Sequence, residues 1–149
     1  MLATVEQDIW IDAPVDVVWR TVTEPELVAQ WFAIEADFAP TPGYEGTLTL
    51  GRTQEPRRVR VSVQSVEPPR SFSYRWLHPD GVPARTGTSV LVTFTLAPER
   101  DGTRLRVVET ELDDMGWTPD ELDRYLAEHT RGWAGHLGRL ADQLTATRP

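Results

Sequence analysis

Residues 117–144 read WTPDELDRYLAEHTRGWAGHLGRLADQL, and the fold class follows largely from them. Thr118 and Glu121 frame a helix start at Pro119, because a threonine followed three residues later by a glutamate can satisfy the first backbone N–H groups of a helix. Mainly apolar and aromatic side chains then recur every three or four residues, as on one face of an α-helix. The members of this stripe are Leu122, Leu126, His129, Trp133, Leu137, Leu140 and Leu144. The spacing predicts one long amphipathic helix that packs against the rest of the chain.

The N-terminal part of the chain predicts one strand and two short helices. Residues 5–11 (VEQDIWI) alternate in hydrophobicity, as a half-buried strand does. Asp12 is a good helix cap, and Pro14 falls in the first turn of the following helix, where its missing N–H is no loss. A second helix start lies at Pro25. The apolar stripes of the two helices are Val15, Val18, Trp19 and Val22, and then Leu27, Val28, Trp31 and Phe32.

Between residues 33 and 112 the pattern changes to short alternating segments separated by turn residues. Pairs such as Asp80-Gly81 and Asp101-Gly102 are typical of turns between strands. We predict strands over residues 47–52, 57–66, 71–77, 88–97 and 103–112, and a further short strand over 34–38, where the pattern is weakest. The simplest topology is an antiparallel meander within a single domain that covers residues 1–149.

The composition excludes several classes of function. Fifteen basic and 23 acidic residues give a net charge of −8, which repels phosphate backbones and anionic lipids, so we expect no nucleic-acid or membrane partner. The absence of cysteine and lysine excludes thiolate metal sites, cysteine nucleophiles and Schiff-base chemistry. His78, His129 and His136 lack compact metal-ligand spacing, so we expect neither a metal nor another cofactor. The opening residues lack the basic and then apolar pattern of a secretion signal, and we therefore expect a cytoplasmic protein.

Three short motifs carry a resemblance to a known family. They are Asp12-Ala13-Pro14 leading to Val18-Trp19, Pro25 leading to Trp31-Phe32, and Gly132-Trp133 with Leu137 and Leu140. Over residues 5–146 the chain resembles the bacterial proteins named after the activator of heat-shock protein 90 ATPase, within the START-like (SRPBCC) superfamily. The resemblance implies an α+β helix-grip fold. In that fold a curved antiparallel sheet of about six or seven strands wraps around the long C-terminal helix, and two short helices follow the first strand.

The resemblance also implies an apolar cavity between the sheet and the long helix, which in that superfamily often holds a lipid, a polyketide or another hydrophobic small molecule. We expect non-catalytic binding of a hydrophobic or aromatic small molecule there, by a monomer or a homodimer. Strand alternation places Phe72, Tyr74 and Trp76 on the inner face. The aromatic ligand-binding candidates are Trp31, Phe72, Tyr74, Trp76, Phe94, Trp117, Tyr125 and Trp133. The ordinary role of each of these rings is packing in the hydrophobic core.

The other face of the sheet is expected to face water, as one side of an antiparallel sheet usually does. Its members are Arg60, Gln64, Ser73, Arg75, Arg104 and Arg106. For the cluster of Arg57, Arg58 and Arg60, a solvated face is the ordinary interpretation and anion binding is the alternative.

The last strand presents a conflict between its pattern and its residues. Alternation beyond Val107 brings Glu109, and then Glu111, to the inner face, where an unpaired carboxylate would be expensive to bury. One interpretation is a bulge at Val107-Val108 that turns both glutamates outward. The other is a carboxylate at the cavity wall, and His129, inside the helix stripe, is a candidate partner for Glu109. His129 could equally be a core histidine that bonds a backbone carbonyl or water.

Two further functions stay open at this point. In an enzyme resembling polyketide cyclases or dehydratases, Glu109 and His129 would act as general base and acid on a carbonyl substrate. A chaperone-associated interaction module would need a sizeable exposed apolar patch, which the polar outer strand faces do not suggest.

Overall fold

The computed structural model describes residues 2–146, and it contains every predicted helix and strand. The elements are β1 (Val5–Ile11), α1 (Val15–Thr23), α2 (Pro25–Trp31), β2 (Glu35–Asp37), β3 (Glu45–Arg52), β4 (Glu55–Glu67), β5 (Ser71–Trp76), β6 (Val90–Glu99), β7 (Gly102–Thr110), a 3₁₀ turn (Asp113–Met115) and α3 (Pro119–Ala146). The capping box predicted for α3 is present, because the Glu121 amide donates to Thr118 Oγ1 (3.2 Å) and the Thr118 amide donates to Glu121 Oε1 (2.9 Å).

The strands form one antiparallel sheet in the order β1-β7-β6-β5-β4-β3-β2. Strands β2 to β7 are a meander, and β1 joins its far edge by pairing with β7. The inner face of this curved sheet carries α3, whose stripe residues Trp133, Leu137 and Leu140 are at most 2% exposed. The helix-grip architecture is therefore confirmed, with the core between the sheet, α3 and the two short helices.

Along strand β7, alternate side chains point inward as far as Glu109. Leu105, Val107 and Glu109 are all fully buried, and the pairing of β7 with β6 runs from Gly102 to Thr110 without a shift in register. The bulge interpretation at Val107-Val108 is therefore wrong. The sheet does have an irregularity, but it lies in β4 between Val63 and Ser65.

Glu111 does not lie on the inner face, so the extension of the alternation to this residue is wrong. Strand β7 ends at Thr110, and Glu111 adopts a left-handed backbone conformation with φ 66°. Its carboxylate accepts two hydrogen bonds from the Arg75 guanidinium, at 3.1 and 3.2 Å. These bonds lower the pKa of Glu111, and a further bond from the Thr86 hydroxyl acts in the same direction.

Part of the outer face of β5 is drier than predicted. Ser73 is buried, and its hydroxyl bonds that of Ser65 at 2.6 Å. Arg75 also loses most of its contact with water, because the connection between β5 and β6 supplies Ser89 and Thr86 to the Arg75–Glu111 pair. Strand alternation shows which side chains lie on the outer face of the sheet, but it does not show that a loop covers part of that face.

Among residues 2–146, no helix has both the length and the apolar character needed to cross a membrane.

Gly102, the first residue of β7, has no room for a side chain. A Cβ there would collide with the Ile11 carbonyl oxygen and with the Trp10 ring of β1. We expect Gly102→Ala to lower the free energy of unfolding by about 2–3 kcal/mol, because the strand backbone would have to move. Gly135→Ala on α3 is the control, since its Cβ would meet open space and helix propensity favours alanine by about 1 kcal/mol. Urea denaturation measures both changes, and similar values for the two variants would contradict the prediction.

Candidate functional site

The centre of the site is the carboxylate of Glu109, which is 0% exposed and has four hydrogen-bond partners. Oε1 accepts from the Trp76 indole N–H at 3.2 Å and from the Tyr125 hydroxyl. Oε2 accepts from the Trp133 indole N–H at 2.8 Å and lies 2.7 Å from His129 Nδ1. Both oxygens are therefore saturated, which is the condition under which a carboxylate can be buried.

The partners come from two elements that pack face to face. Trp76 is the last residue of β5, and Tyr125, His129 and Trp133 follow one another at intervals of four along α3. Residues four apart lie on the same face of a helix, so the three side chains of α3 reach the same point of the sheet. The predicted pairing of Glu109 with His129 is present, and the two indoles and the phenol extend it.

His129 connects the buried carboxylate with the protein surface. Its Nδ1 edge faces Glu109, and an ionised Glu109 requires a proton on Nδ1. The Nε2 atom has no hydrogen bond to any residue among 2–146, and the side chain is 24% exposed. In the neutral ring Nε2 therefore carries a lone pair, and in the charged ring it carries a proton.

Beside this cluster lies a groove between α3 and the strands β3 and β4. Its larger part has a volume of about 470 Å³ and its smaller part about 320 Å³. We call the two parts together the α3 groove, because they share Leu50, Arg57, Trp76, Glu128 and His129. The larger part continues to Trp31, Phe32, Gly132, Trp133, His136 and Arg139, and the smaller part to Leu77, Trp117, Glu121, Arg124 and Tyr125.

Stacked rings form the wall of the larger part. Phe32 and Trp133 lie with their ring centroids 5.0 Å apart and their planes inclined by 20°. Trp76 stacks on Trp133 at 5.9 Å, and His136 meets Phe32 edge to face at 4.9 Å. In the smaller part, Trp117 and Tyr125 are 4.7 Å apart, and Tyr125 stacks on His129.

The structure divides the predicted site residues into two sets. Trp31, Trp76, Trp117, Tyr125, His129 and Trp133 line the α3 groove, with Glu109 directly behind them. Phe72, Tyr74 and Phe94 do not line it. They lie deeper, around two internal voids of only about 10 Å³ each.

Sequence reasoning missed several lining residues: Phe32, Arg57, Glu128, His136 and Arg139. The sequence pattern places Phe32 in the apolar stripe of α2 and Arg57 on a solvated face. Glu128, His136 and Arg139 lie beside the apolar stripe of α3, so a search of the neighbouring helical positions would have found them.

His136 is kept neutral by its surroundings. Burial lowers its pKa to about 4, and the adjacent Arg139 guanidinium acts in the same direction. Arg139 donates to His136 Nδ1, and its Nε donates to the Trp31 carbonyl oxygen at 3.3 Å. This chain of bonds fixes the groove-lining part of α3 to the end of α2.

Within the described residues 2–146, no group of three or more histidine, aspartate or glutamate side chains could hold a metal ion.

Residues 12–145 match the sequence profile of the family described as Activator of Hsp90 ATPase homolog 1-like protein. The chain belongs to this family. Its curved sheet and long C-terminal helix are those of the START-like (SRPBCC) fold. No curated protein matches the sequence.

Solved structures of this fold cover nearly the whole chain. Protein MLL2253 from Mesorhizobium loti is 28% identical with a TM-score of 0.78, over 99% of this chain and 100% of that one. DynU16, a protein of the dynemicin biosynthetic locus, is 28% identical with a TM-score of 0.75, over 98% of this chain and 48% of that one. The Aha1 dimer from Colwellia psychrerythraea is 18% identical with a TM-score of 0.71, over 96% of both chains, which shows the shared fold.

The four bonds to Glu109 predict a large effect of a small substitution. In Glu109→Gln an amide nitrogen replaces one carboxylate oxygen. The hydrogen-bond donors around that oxygen then face an N–H donor, and the negative charge opposite His129 disappears. We expect the free energy of unfolding to fall by about 2–4 kcal/mol. Glu111→Gln is the matched control, because that carboxylate is partly exposed and its loss should cost about 1 kcal/mol. Equal losses in urea denaturation would show that Glu109 is not a structural centre.

The lowered pKa of His136 predicts a pH dependence of stability. As the pH falls, the unfolded chain takes up a proton on this ring near pH 6.5, whereas the folded protein does so only near pH 4. The stabilisation is therefore complete above pH 6.5 and is lost as the pH approaches 4. Because the ring is only half-buried, solvent screening should reduce the effect to about 1–2 kcal/mol. Unfolding of the wild type and His136→Gln at pH 7 and pH 4 measures it, and parallel losses in the two proteins would contradict it.

Proposed function

We propose that the α3 groove binds an apolar or aromatic small molecule. The observation that carries this proposal is the stacked wall of Phe32, Trp133 and Trp76 beside an open volume of about 470 Å³. This volume lies within the range of about 300–1,000 Å³ that is typical of small-molecule sites, and the groove combines an aromatic wall with polar groups. A planar ring system would extend this stack at Phe32, which is the partly exposed member of the wall.

Polar groups around the groove would orient such a ligand. Arg57 from β4 and Arg139 from α3 stand on opposite sides, together with Glu128. His129 Nε2 can donate or accept at the junction of the two parts of the groove, according to its protonation. A ligand with one hydroxyl or carbonyl on an otherwise apolar frame suits this arrangement.

In the enzymatic alternative, Glu109 and His129 would have different roles. Glu109 is fully buried and holds four hydrogen bonds, so a substrate in the groove would not touch it. Proton transfer to or from a substrate would fall to His129, with Glu109 as a positioning residue. The similarity to DynU16, from a biosynthetic locus, is compatible with either a binding or a cyclase-like role.

An interaction module of the chaperone-activator type has less support. Among the described residues, the exposed large hydrophobic side chains are Leu2 and Tyr44, and they do not form an extended patch. The Colwellia relative is a dimer, which is compatible with the monomer or homodimer expected for this chain.

Two glycines on α3 provide a matched test of the groove. A Cβ at Gly132 or at Gly135 would meet no atom within 4 Å, but only Gly132 lines the groove. We expect Gly132→Leu to weaken binding of 1-anilinonaphthalene-8-sulfonate at least about tenfold, because the side chain fills the ligand's space. Gly135→Leu gains the same helix propensity and should change the affinity less than about twofold.

Fluorescence titration measures both affinities, with energy transfer from the groove tryptophans as the readout. An equal loss in the two variants, or none in Gly132→Leu, would place the probe elsewhere and contradict the proposal.

A further inference from the structure

The hydroxyl of Tyr74 is a buried polar group without a partner. Tyr74 is 5% exposed, and no residue among 2–146 offers its oxygen a hydrogen bond. A buried hydroxyl that makes no bond destabilises a protein by about 1–3 kcal/mol, so such a group calls for a physical reason. Burial and the nearby Glu109 charge raise the pKa of Tyr74, so the group is a neutral O–H donor.

The space around Tyr74 is apolar. Tyr74 lines both internal voids, and they also share Phe38, Leu48 and Phe72. We call the two voids together the inner chamber. Each void has a volume of about 10 Å³, which is the lower limit for one water molecule. A water there would also need two to four polar partners. Among the lining side chains the only polar groups are the Tyr74 hydroxyl and the Trp31 indole N–H, and the indole already donates to the Thr21 carbonyl.

Phe32 separates the inner chamber from the α3 groove. It lines the larger part of the groove on one side and one void of the chamber on the other, as Trp31 also does. Phe32 is only partly buried and follows the last residue of α2, and its ring contacts four neighbouring aromatic rings. A rotation of this side chain would connect the two spaces.

We propose that Tyr74 is a specificity-determining residue: when Phe32 turns aside, the buried end of the ligand enters the inner chamber and hydrogen-bonds the Tyr74 hydroxyl. The inference rests on the ligand-binding function proposed above and adds the chemical class. The ligand has an aromatic or alicyclic end that carries one hydroxyl or carbonyl group. An entirely hydrocarbon ligand would leave the Tyr74 donor unsatisfied.

A matched pair of probes tests this role. We use 4-fluorophenol and fluorobenzene, which differ only in the hydroxyl group, and measure their affinities by ¹⁹F NMR titration. We expect Tyr74→Phe to reduce the preference for 4-fluorophenol over fluorobenzene about fivefold to tenfold. Tyr44→Phe is the control, because Tyr44 is exposed and lines neither the groove nor the chamber.

The stability of Tyr74→Phe gives an independent check. A hydroxyl without a partner in the free protein can be removed without loss, so the free energy of unfolding should stay equal or increase. A decrease of about 1 kcal/mol would show that the hydroxyl already has a partner, and would overturn the inference.

The outcomes separate this inference from the proposed function. If Gly132→Leu abolishes sulfonate probe binding but Tyr74→Phe leaves the preference between the two fluorinated probes intact, the groove is correct and the Tyr74 role is wrong. If the wild type binds neither the sulfonate nor the fluorinated probes, both proposals fail.

Discussion

The Glu109 carboxylate imposes the strictest requirement in this structure. A fully buried charge is tolerated only when donors occupy its oxygens, and here the donors are two indoles, a phenol and an imidazole. Three of them lie on α3 and one on β5. A shift of α3 by one helical turn would move its donors by about 5.4 Å and break the three bonds made by Tyr125, His129 and Trp133. The hydrophobic stripe on its own would tolerate such a shift far better, so the carboxylate fixes the position of α3 along the sheet.

The same side chains that satisfy Glu109 build the surface that a ligand would meet. Trp76 and Trp133 direct their N–H groups at the carboxylate and also line the α3 groove. Because each ring is held by a hydrogen bond and by stacking, the wall is preorganised, and the protein would lose less side-chain conformational entropy on binding a ligand. The glycine at position 132 keeps the adjoining surface of α3 open. The Glu109 cluster thus both holds α3 on the sheet and forms the aromatic wall of the α3 groove.

Sequence periodicity predicted the fold well, since strand alternation and the helical stripe report directly which face of each element is buried. It also placed Glu109 and His129 together, because the carboxylate stood on a face that had to be dry. It could not predict that Trp76 and Trp133 would donate to Glu109. A periodic pattern shows which face of a helix or strand carries a side chain, but it does not show where the indole N–H of that side chain points. Glu111 was misplaced because the strand ends one residue earlier, and Arg75 because the connection that covers it leaves no trace in the alternation.

Phe32 closes the inner chamber off from the neighbouring α3 groove. Its ring contacts Trp31, Trp76, Trp133 and His136 at centroid distances of 4.9–6.0 Å. Aromatic pairs contribute about 0.5–1.5 kcal/mol each, so the closed position is favoured by a few kcal/mol when the groove is empty. In the binding proposed above, a planar ligand that took the place of Phe32 on Trp133 would restore part of this contact, and burial of a further ring would contribute about 2–3 kcal/mol. The two amounts are similar, so the shape and polarity of such a ligand would decide whether the inner chamber opens.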